Sequence, residues 1–451
     1  MTTTKNNEHK KLNFSSEREQ SQACLNSAEH EKNQGRKVLN VPNKREQNQT
    51  CLDSAEREGL RPKGNVPNLR FPEFQGEWKE STIGEMFDLY SGNTPSRLNK
   101  EHFKGTVNWI SSGELKEHYI YSSKEQISEE AAKSLKLLPV GTYVIAIYGL
   151  EAEGVRGTGS IIQEPSTISQ ACMSFIPKGV IENEFLYSWY KKHGNVIGIR
   201  YAQGTKQQNL SYDILEKFRI AYPNTKEQEK LNKFISLLDE RIATQSKIIE
   251  DLKKLKSAII EMEYSHITKN ISHIGDFIEQ TSKRNKDKTI HNVLSVNNRQ
   301  GFIQQSEQFE NRNVASDDTS NYKIVEKDDF AFNPARINVG SIARLTLFER
   351  GIVSPMYICF RTRDGLLPEY LDYYFESKPF FTEIQKRLEG SVRQCLSFDG
   401  LCNIPLCVPS VEIQRQIGER LSTLVQEIKL EIDFLELLQK QKKILLYQMF
   451  I

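Results

Sequence analysis

The side chains best suited to chemistry in this sequence are Arg, Lys, Asn and Gln set in short segments beside glycines. Lys206, Gln207 and Gln208 follow Gly204, and Arg393 and Gln394 follow Gly390. Arg156 precedes Gly157, while Asn333, Arg336 and Asn338 lead into Gly340. Such residues have a defined use in the major groove of a duplex. Arginine donates two hydrogen bonds to guanine, and asparagine or glutamine exchanges two with adenine. Each would serve equally as a solvated loop residue. No group for covalent or metal chemistry accompanies them. The sequence has no G-x-x-x-x-G-K-[ST] phosphate loop and no H-E-x-x-H. Phe332-Asn333-Pro334-Ala335 lacks the second proline and the aromatic of an amino-methyltransferase motif. Cys402 and Cys407 form a C-x4-C pair with no second pair or nearby histidine, which favours buried thiols over a metal site. The expectation is no catalytic residue and no metal ligand.

Internal repetition decides how those loops are carried. Gly204, Gln208, Leu210-Ser211, Asp213, Leu215 and Pro223 reappear as Gly390, Gln394, Leu396-Ser397, Asp399, Leu401 and Pro409. The offset is 186 and persists through Lys256/Lys442, with 15 identities in the 61 positions from Gly204 to Tyr264. Upstream it survives weakly at 185, pairing Glu184 and Leu186 with Glu369 and Leu371, and Gly159-Ser160-Ile161 resembles Gly340-Ser341-Ile342. Between about 85–155 and 276–335 there is almost no match. A separate 27-residue repeat pairs Cys24 with Cys51 in a segment whose first 70 residues contain one aromatic, Phe14. Such a segment cannot bury enough surface to offset its chain entropy, so it reads as disordered or weakly helical.

Both copies end in a helical pattern. Apolar residues at Ile235, Leu238, Ile242, Ile249 and Leu252 alternate three and four apart, and Leu421, Leu424, Ile428, Leu435 and Leu438 repeat the spacing. This is a coiled-coil seam. Its polar interruptions match, Gln245 with Glu431 and Lys256 with Lys442, which favours pairing of the two helices with each other. At 1.5 Å per residue, about 40 residues extend roughly 60 Å. The globular parts read as mixed α/β, with strands over Val140–Tyr148 and Ile352–Phe360 and tyrosine-rich helices over Glu184–Lys192 and Glu369–Ser377.

A length of 451 residues allows two to four domains, and 61 Lys plus Arg against 59 Asp plus Glu removes any argument from bulk charge. The heads themselves are near neutral, with 17 basic against 18 acidic residues over 70–222 and 18 against 18 over 266–409. That is weak for unaided DNA binding, because phosphate contacts dominate affinity. Seven cysteines with no secretory signal point to reduced thiols, and no apolar run is long enough to span a bilayer. The chain reads as soluble and cytoplasmic.

Val66-Pro67-Asn68-Leu69-Arg70-Phe71-Pro72 leading to Trp78, Ser91-Gly92-Asn93-Thr94-Pro95-Ser96, Val107-Asn108-Trp109-Ile110-Ser111 and Asn333–Ser341 complete the pattern. With the glycine-to-glutamine phrase before each helix, the sequence from about 65 to 451 resembles the specificity (S) subunits of type I restriction–modification enzymes. The resemblance implies two pseudo-repeated mixed α/β target recognition domains separated by two long antiparallel coiled-coil helices. The expected boundaries are an N-terminal arm at 1–64, recognition domains at 65–224 and 265–410, and spacer helices at 225–264 and 411–451. It further implies that each recognition domain binds one half of a bipartite, asymmetric double-stranded DNA site while the helices set the spacer. Two modification (M) subunits would dock on the helices and methylate adenine N6, and restriction (R) subunits would join through that core. S-adenosylmethionine, ATP and Mg2+ would then sit on those partners, with no cofactor on this chain. Family members begin near the equivalent of Val66, so residues 1–64 depart from the pattern. A coiled-coil scaffold that recognises proteins rather than DNA is the competing reading.

Overall fold

The computed structural model describes residues 64–151, 154–204, 208–265, 272–298, 300–305, 318–390 and 394–451. The 27-residue repeat lies outside these, as do Lys206, Gln207 and Arg393. Head 1 runs through β1 (Lys79–Thr82), β2 (Phe87–Ser91), β3 (Val107–Ile110), β4 (Tyr119–Ile120), β5 (Glu125–Ile127), β6 (Tyr143–Ala146), β7 (Gly159–Ile162), β8 (Ser166–Ile168), β9 (Cys172–Pro177), helix α1 (Asn183–Tyr201) and β10 (Arg219–Tyr222). Helix α2 (Thr225–Tyr264) follows. Head 2 comprises β11 (Ser272–His273), β12 (Ile278–Thr281), β13 (Val293–Asn297), β14 (Gly301–Gln304), β15 (Lys323–Glu326), β16 (Phe330–Phe332), β17 (Ile342–Arg344), β18 (Arg350–Val353) and β19 (Ile358–Thr362), then helices α3 (Pro368–Tyr374) and α4 (Lys378–Arg387), and β20 (Pro405–Leu406). Helix α5 (Val411–Met449) closes the chain.

The heads share a plan that their sequences conceal. In head 1 the strand order is β2-β9-β6-β7-β4 in one sheet and β5-β3-β8 in a second. In head 2 it is β12-β19-β16-β17 and β14-β13-β18-β15. The parallel pair β3–β8 corresponds to β13–β18, and a two-stranded ribbon, β1–β10 or β11–β20, joins the entry of each head to its exit. The likeness thus runs through 85–155 and 276–335, where sequence identity fails. A strand needs only alternating apolar side chains, and many residues satisfy that. The run Ile352–Phe360, expected as one strand, is two, β18 and β19, in different sheets. Ser354-Pro355-Met356 turns the chain between them, with Tyr357 N donating to Ser354 O at 3.1 Å, and proline has no N–H for a ladder. Val140–Tyr148 narrows to β6. Cys402 and Cys407 are half-buried rather than buried, and no cluster of His, Cys, Asp or Glu fit for a metal occurs among the described residues.

The long helices start where the sequence changes from proline to cap. Asn224 and Ser410 follow Pro223 and Pro409, and their side chains accept from Glu227 N and Ile413 N. The helices are antiparallel neighbours: Asp239 meets Lys442, and Glu263 meets Arg420 at 2.8 Å. Along the seam Ile235, Ile249, Leu421, Leu424, Ile428 and Leu438 are buried, and Leu238, Ile242, Leu252 and Leu435 are half-buried. Gln245 Nε2 donates to the Glu431 carbonyl at 3.2 Å and to its carboxylate, so one pair of interruptions satisfies itself. Lys442 pairs across the helices with Asp239. Lys256 instead turns out to Glu376 of head 2, at 2.6 and 2.8 Å.

Each head is built on one beginning and one end of these helices. Leu231 and Ile235 join Leu446, Met449 and Phe450 in the head 1 core, and Ile260 and Tyr264 join Ile417 and Leu421 in that of head 2. Two fully buried glutamines fasten the junctions identically. Gln228 Nε2 donates to Val180 O and Pro223 O at 3.0 Å each, and its Oε1 accepts from Glu182 N at 3.0 Å. Gln414 Nε2 donates to Gly365 O and Pro409 O at 2.8 Å each, and its Oε1 accepts from Leu367 N at 2.8 Å.

Head 1 has an additional tie. His118, just before β4, lies between Tyr119 and Tyr187 with ring centroids 4.1 and 3.9 Å away. Its Nε2 is 2.9 Å from Glu184 of α1 and its Nδ1 is 3.5 Å from Asp239 of α2. Burial pulls the imidazole pKa down, but the Asp239 and Glu184 carboxylates outweigh it, and the net shift is upward.

Two predictions follow from these junctions. Gln414→Leu strands two backbone carbonyls and an N–H, and should cost about 1–3 kcal/mol. Denaturant unfolding checks it, with Gln228→Leu expected to lose a similar amount, and a change near zero contradicts the anchor. The stability contributed by a histidine whose folded pKa is raised is complete below its ordinary value and fades as pH rises through the folded one. His118→Gln should therefore lose more thermal stability at about pH 6 than at about pH 8.5. Equal losses at both would show that stacking alone holds the ring.

Candidate nucleic-acid interface

The glycine-to-glutamine phrase is flanked in the same way in both heads. Gly204 and Gly390 adopt φ of +113° and +104°, a region open to glycine. Gln203 and Asn209 exchange backbone hydrogen bonds at 2.8 Å each, and Glu389 and Cys395 do so at 2.9 Å each. These bonds clamp the loop at its base in both heads. Gln208 is half-buried and Gln394 exposed. Lys206, Gln207 and Arg393 lie outside the described residues.

A second loop from the same head meets each clamp. In head 1, Leu150 N donates to Gln208 O at 3.1 Å, Leu210 N to Ile147 O at 2.9 Å, and Gln208 N to the Glu151 carboxylate at 2.9 Å. The Gln208 N–H holds the Glu151 carboxyl below its ordinary range. In head 2, Leu396 N donates to Pro334 O at 3.1 Å. The segments after β6 and β16, which hold Arg156 and Arg336, thus lie beside the loops of Gln208 and Gln394. The candidate residues fall into two groups, one per head, although some fifty or more residues separate the loops in sequence.

Their placements differ. Arg336 and Asn338 are exposed, and neither side chain has a hydrogen-bond partner among the described residues. Gly340, at φ +87°, turns the chain back after them, and Ser341 N donates to Arg336 O at 3.1 Å. Asn333 corrects the expectation. It is buried, its Oδ1 accepts from Ala335 N at 3.1 Å and its backbone N–H donates to Ser341 O at 3.0 Å, so it shapes the turn rather than projecting from it. Arg156 is intermediate. Its stem lies against α1, where a Cβ added at Gly198 would come within 3.0 Å of Arg156 Cγ. Its Nη2 donates to Glu151 O at 3.3 Å, while its buried Nε has no partner. Only the end of its guanidinium is available to a ligand.

The buried aromatics Tyr187, Trp189 and Tyr190 of α1, and Tyr370, Tyr373 and Tyr374 of α3, are core rather than a stacking platform. Sequence reasoning missed His118 and its partners. Glu184 and Asp239 come to it from distant elements, and no local spacing signals such a cluster.

Residues 75–254 match the family model described as the type I restriction modification DNA specificity domain. The specificity subunit of type I restriction enzyme MjaIX from Methanocaldococcus jannaschii is 29% identical over 185 residues, 40% of this chain and 42% of that protein. The EcoR124I/EcoR124II specificity subunit from Escherichia coli is 31% identical over 191 residues, 41% of this chain and 46% of that protein. The chain spans less than half the length of these curated relatives. The S subunit of a type I restriction–modification system from M. genitalium superposes with a TM-score of 0.52 at 17% identity, covering 86% of this chain and 99% of that one. A chain from a structure of complex assembly and conformational transition in the type I R-M system gives 0.52 at 15%, covering 83% and 97%. Residues 75–254 are thus a type I restriction–modification DNA specificity domain, carried on a chain with the fold of the specificity (S) subunits.

Proposed function

We propose that this chain is the sequence-reading subunit of a type I restriction–modification complex, in which each head reads one half of a bipartite, asymmetric DNA site. The observation that carries this reading is the paired arrangement of loops. Each head brings a clamp and an adjoining turn together, and the two heads are seated at opposite ends of one antiparallel helix pair. The exposed Arg336, Asn338 and Gln394 in head 2, and the half-buried Gln208 and Arg156 in head 1, are of the types that read base edges. Lys206, Gln207 and Arg393, outside the described residues, complete the proposed set, and Asn333 leaves it.

The near-neutral heads imply that partners supply most of the phosphate contacts. The helices offer those partners a surface. Leu430, Phe434 and Leu437 of α5 are 68%, 38% and 63% exposed, and Leu255 and Met262 of α2 are 49% and 54% exposed. Apolar residues repeated on an outer helix face suit protein docking. Two modification subunits bound there would bring S-adenosylmethionine and adenine N6 methylation. Restriction subunits joined to that core would bring ATP, Mg2+ and cleavage, and this chain would supply no catalytic group. The assembly would work in the cytoplasm. Residues 65–224 and 265–410 are the proposed recognition domains.

Long-read methylation mapping of cells with and without the gene tests the reading. The expected result is loss of one two-part asymmetric motif on deletion. In the same assay Arg336→Ala should weaken discrimination at one base pair of one half-site by about 1–3 kcal/mol and leave the other half intact. A methylome indifferent to the gene favours a protein-binding scaffold, and Arg336→Ala effects in both halves contradict separate reading heads.

A further inference from the structure

The two heads differ at one sheet edge. In head 1, β3 and β5 are joined by residues 111–124, and this excursion lays β4 along the outer side of β7. Ile161 N donates to His118 O at 2.8 Å and Gln163 N to Ile120 O at 2.9 Å. In head 2 the matching strands β13 and β14 are joined by residues 298–300 alone. Among the described residues, β17 pairs only with β16. Asn333 N donates to Ser341 O and Leu345 N to Asp329 O, so alternate residues of β17 turn toward β16, and Ile342 and Arg344 turn away. They stand where Ile161 and Gln163 stand in head 1. Ile342 N folds back to Gly340 O at 2.9 Å, leaving the Arg344 backbone as the outward pairing group.

The place that β4 occupies in head 1 is, in head 2, a cleft of about 520 Å³ lined by Asn298, Gln300, Arg344, Leu347, Asp372 and Glu376, among others. Its charges are unevenly matched. Lys256 is paired with Glu376, and Arg344 with Asp328 at 2.6 Å. Asp372 is half-buried and has no hydrogen bond or ion pair among the described residues. It stands where head 1 has Tyr187, the residue stacked on His118.

We propose that the edge of β17, unpaired among the described residues, is a docking site for an extended segment of a partner polypeptide, which adds as a strand beside Ile342–Arg344 and sets a lysine or arginine against Asp372. An exposed edge is a template for strand addition, with backbone bonds giving affinity and side-chain pockets giving selectivity. Head 1 shows, within this chain, a strand held in the corresponding slot with a titratable cation between carboxylates. The unneutralised Asp372 selects a basic occupant. Burial raises its carboxyl to about 7, with Glu376 and Glu369 adding to the rise and Arg344 and Lys256 opposing it. Binding of a fixed cation should therefore strengthen from about pH 6 to about pH 8 as Asp372 ionises. The proposal is independent of which bases the heads read.

The test uses the full chain and a short Thr/Val peptide with one central lysine. Hydrogen exchange at the Arg344 amide and a binding titration are followed at both pH values. The expected result is slowed exchange at Arg344 and several-fold tighter binding at the higher pH. Asp372→Asn should abolish the pH dependence while the fold, monitored by circular dichroism, persists. Equal binding by the peptide carrying glutamate, no protection at about 1 mM peptide, or protection that grows with chain concentration alone would each overturn the proposal, the last in favour of a second copy.

Discussion

The antiparallel contact between Thr225–Tyr264 and Val411–Met449 is the constraint on which the rest of the molecule depends. Gln245 and Glu431 are equivalent positions of the two copies, 186 residues apart, and they bond to each other near the middle of both helices. Equivalent residues of an antiparallel pair meet only where a two-fold relation passes. Everything outward from that point is shared in crossed fashion, so each head takes the start of one helix and the end of the other. Tyr264 in the head 2 core and Phe450 in the head 1 core are themselves 186 apart. Ile451 is also bound to head 1, with Trp189 Nε1 donating to its carbonyl at 3.0 Å. A polar contact on a hydrophobic seam adds little stability but fixes register, and register sets where the heads sit.

From that geometry the division of labour follows. The helices and the glutamine anchors are alike in both halves, because both must make one kind of junction. The β3–β5 and β13–β14 connections diverge, 14 residues in one head and three in the other, and only the longer one carries a tie to the helices, His118 with Asp239. The proposed reading loops stand between these extremes. Their glycine clamps, backbone bonds and Gln208/Gln394 repeat, while the sequence between differs, Thr205-Lys206-Gln207 against Ser391-Val392-Arg393. Such a design lets two heads present different side chains from one frame.

Sequence reading captured what is periodic or repeated. Helix α2 has the expected limits, Thr225–Tyr264, because a seven-residue pattern with a proline and cap before it leaves little freedom. Helix α5 stops at Met449, two residues short of the chain end, since Phe450 leaves the helix to fill the head 1 core. The common strand order was hidden, because a β-ladder is specified by alternation and pairing partners, not by residue identity. Ile352–Phe360 looked like one strand because periodicity does not show a change of sheet at Pro355. Among the candidate contacts, residue type identified suitable side chains but not their direction. Asn333 and Arg336 stand three apart in one turn, yet one is buried and the other exposed. Long-range ties such as His118 with Asp239 leave no local trace at all.

The measurement that bears most directly on this account is the spacing of the methylated motif after the helix pair is lengthened. Seven residues inserted into each long helix at matched positions beside Gln245 and Glu431 keep the seam in phase and add about 10 Å, close to three base pairs of duplex. The account predicts unchanged half-sites separated by a correspondingly longer spacer. A motif with its original spacer, methylated at the original efficiency, would show that the helices do not set the distance between the heads.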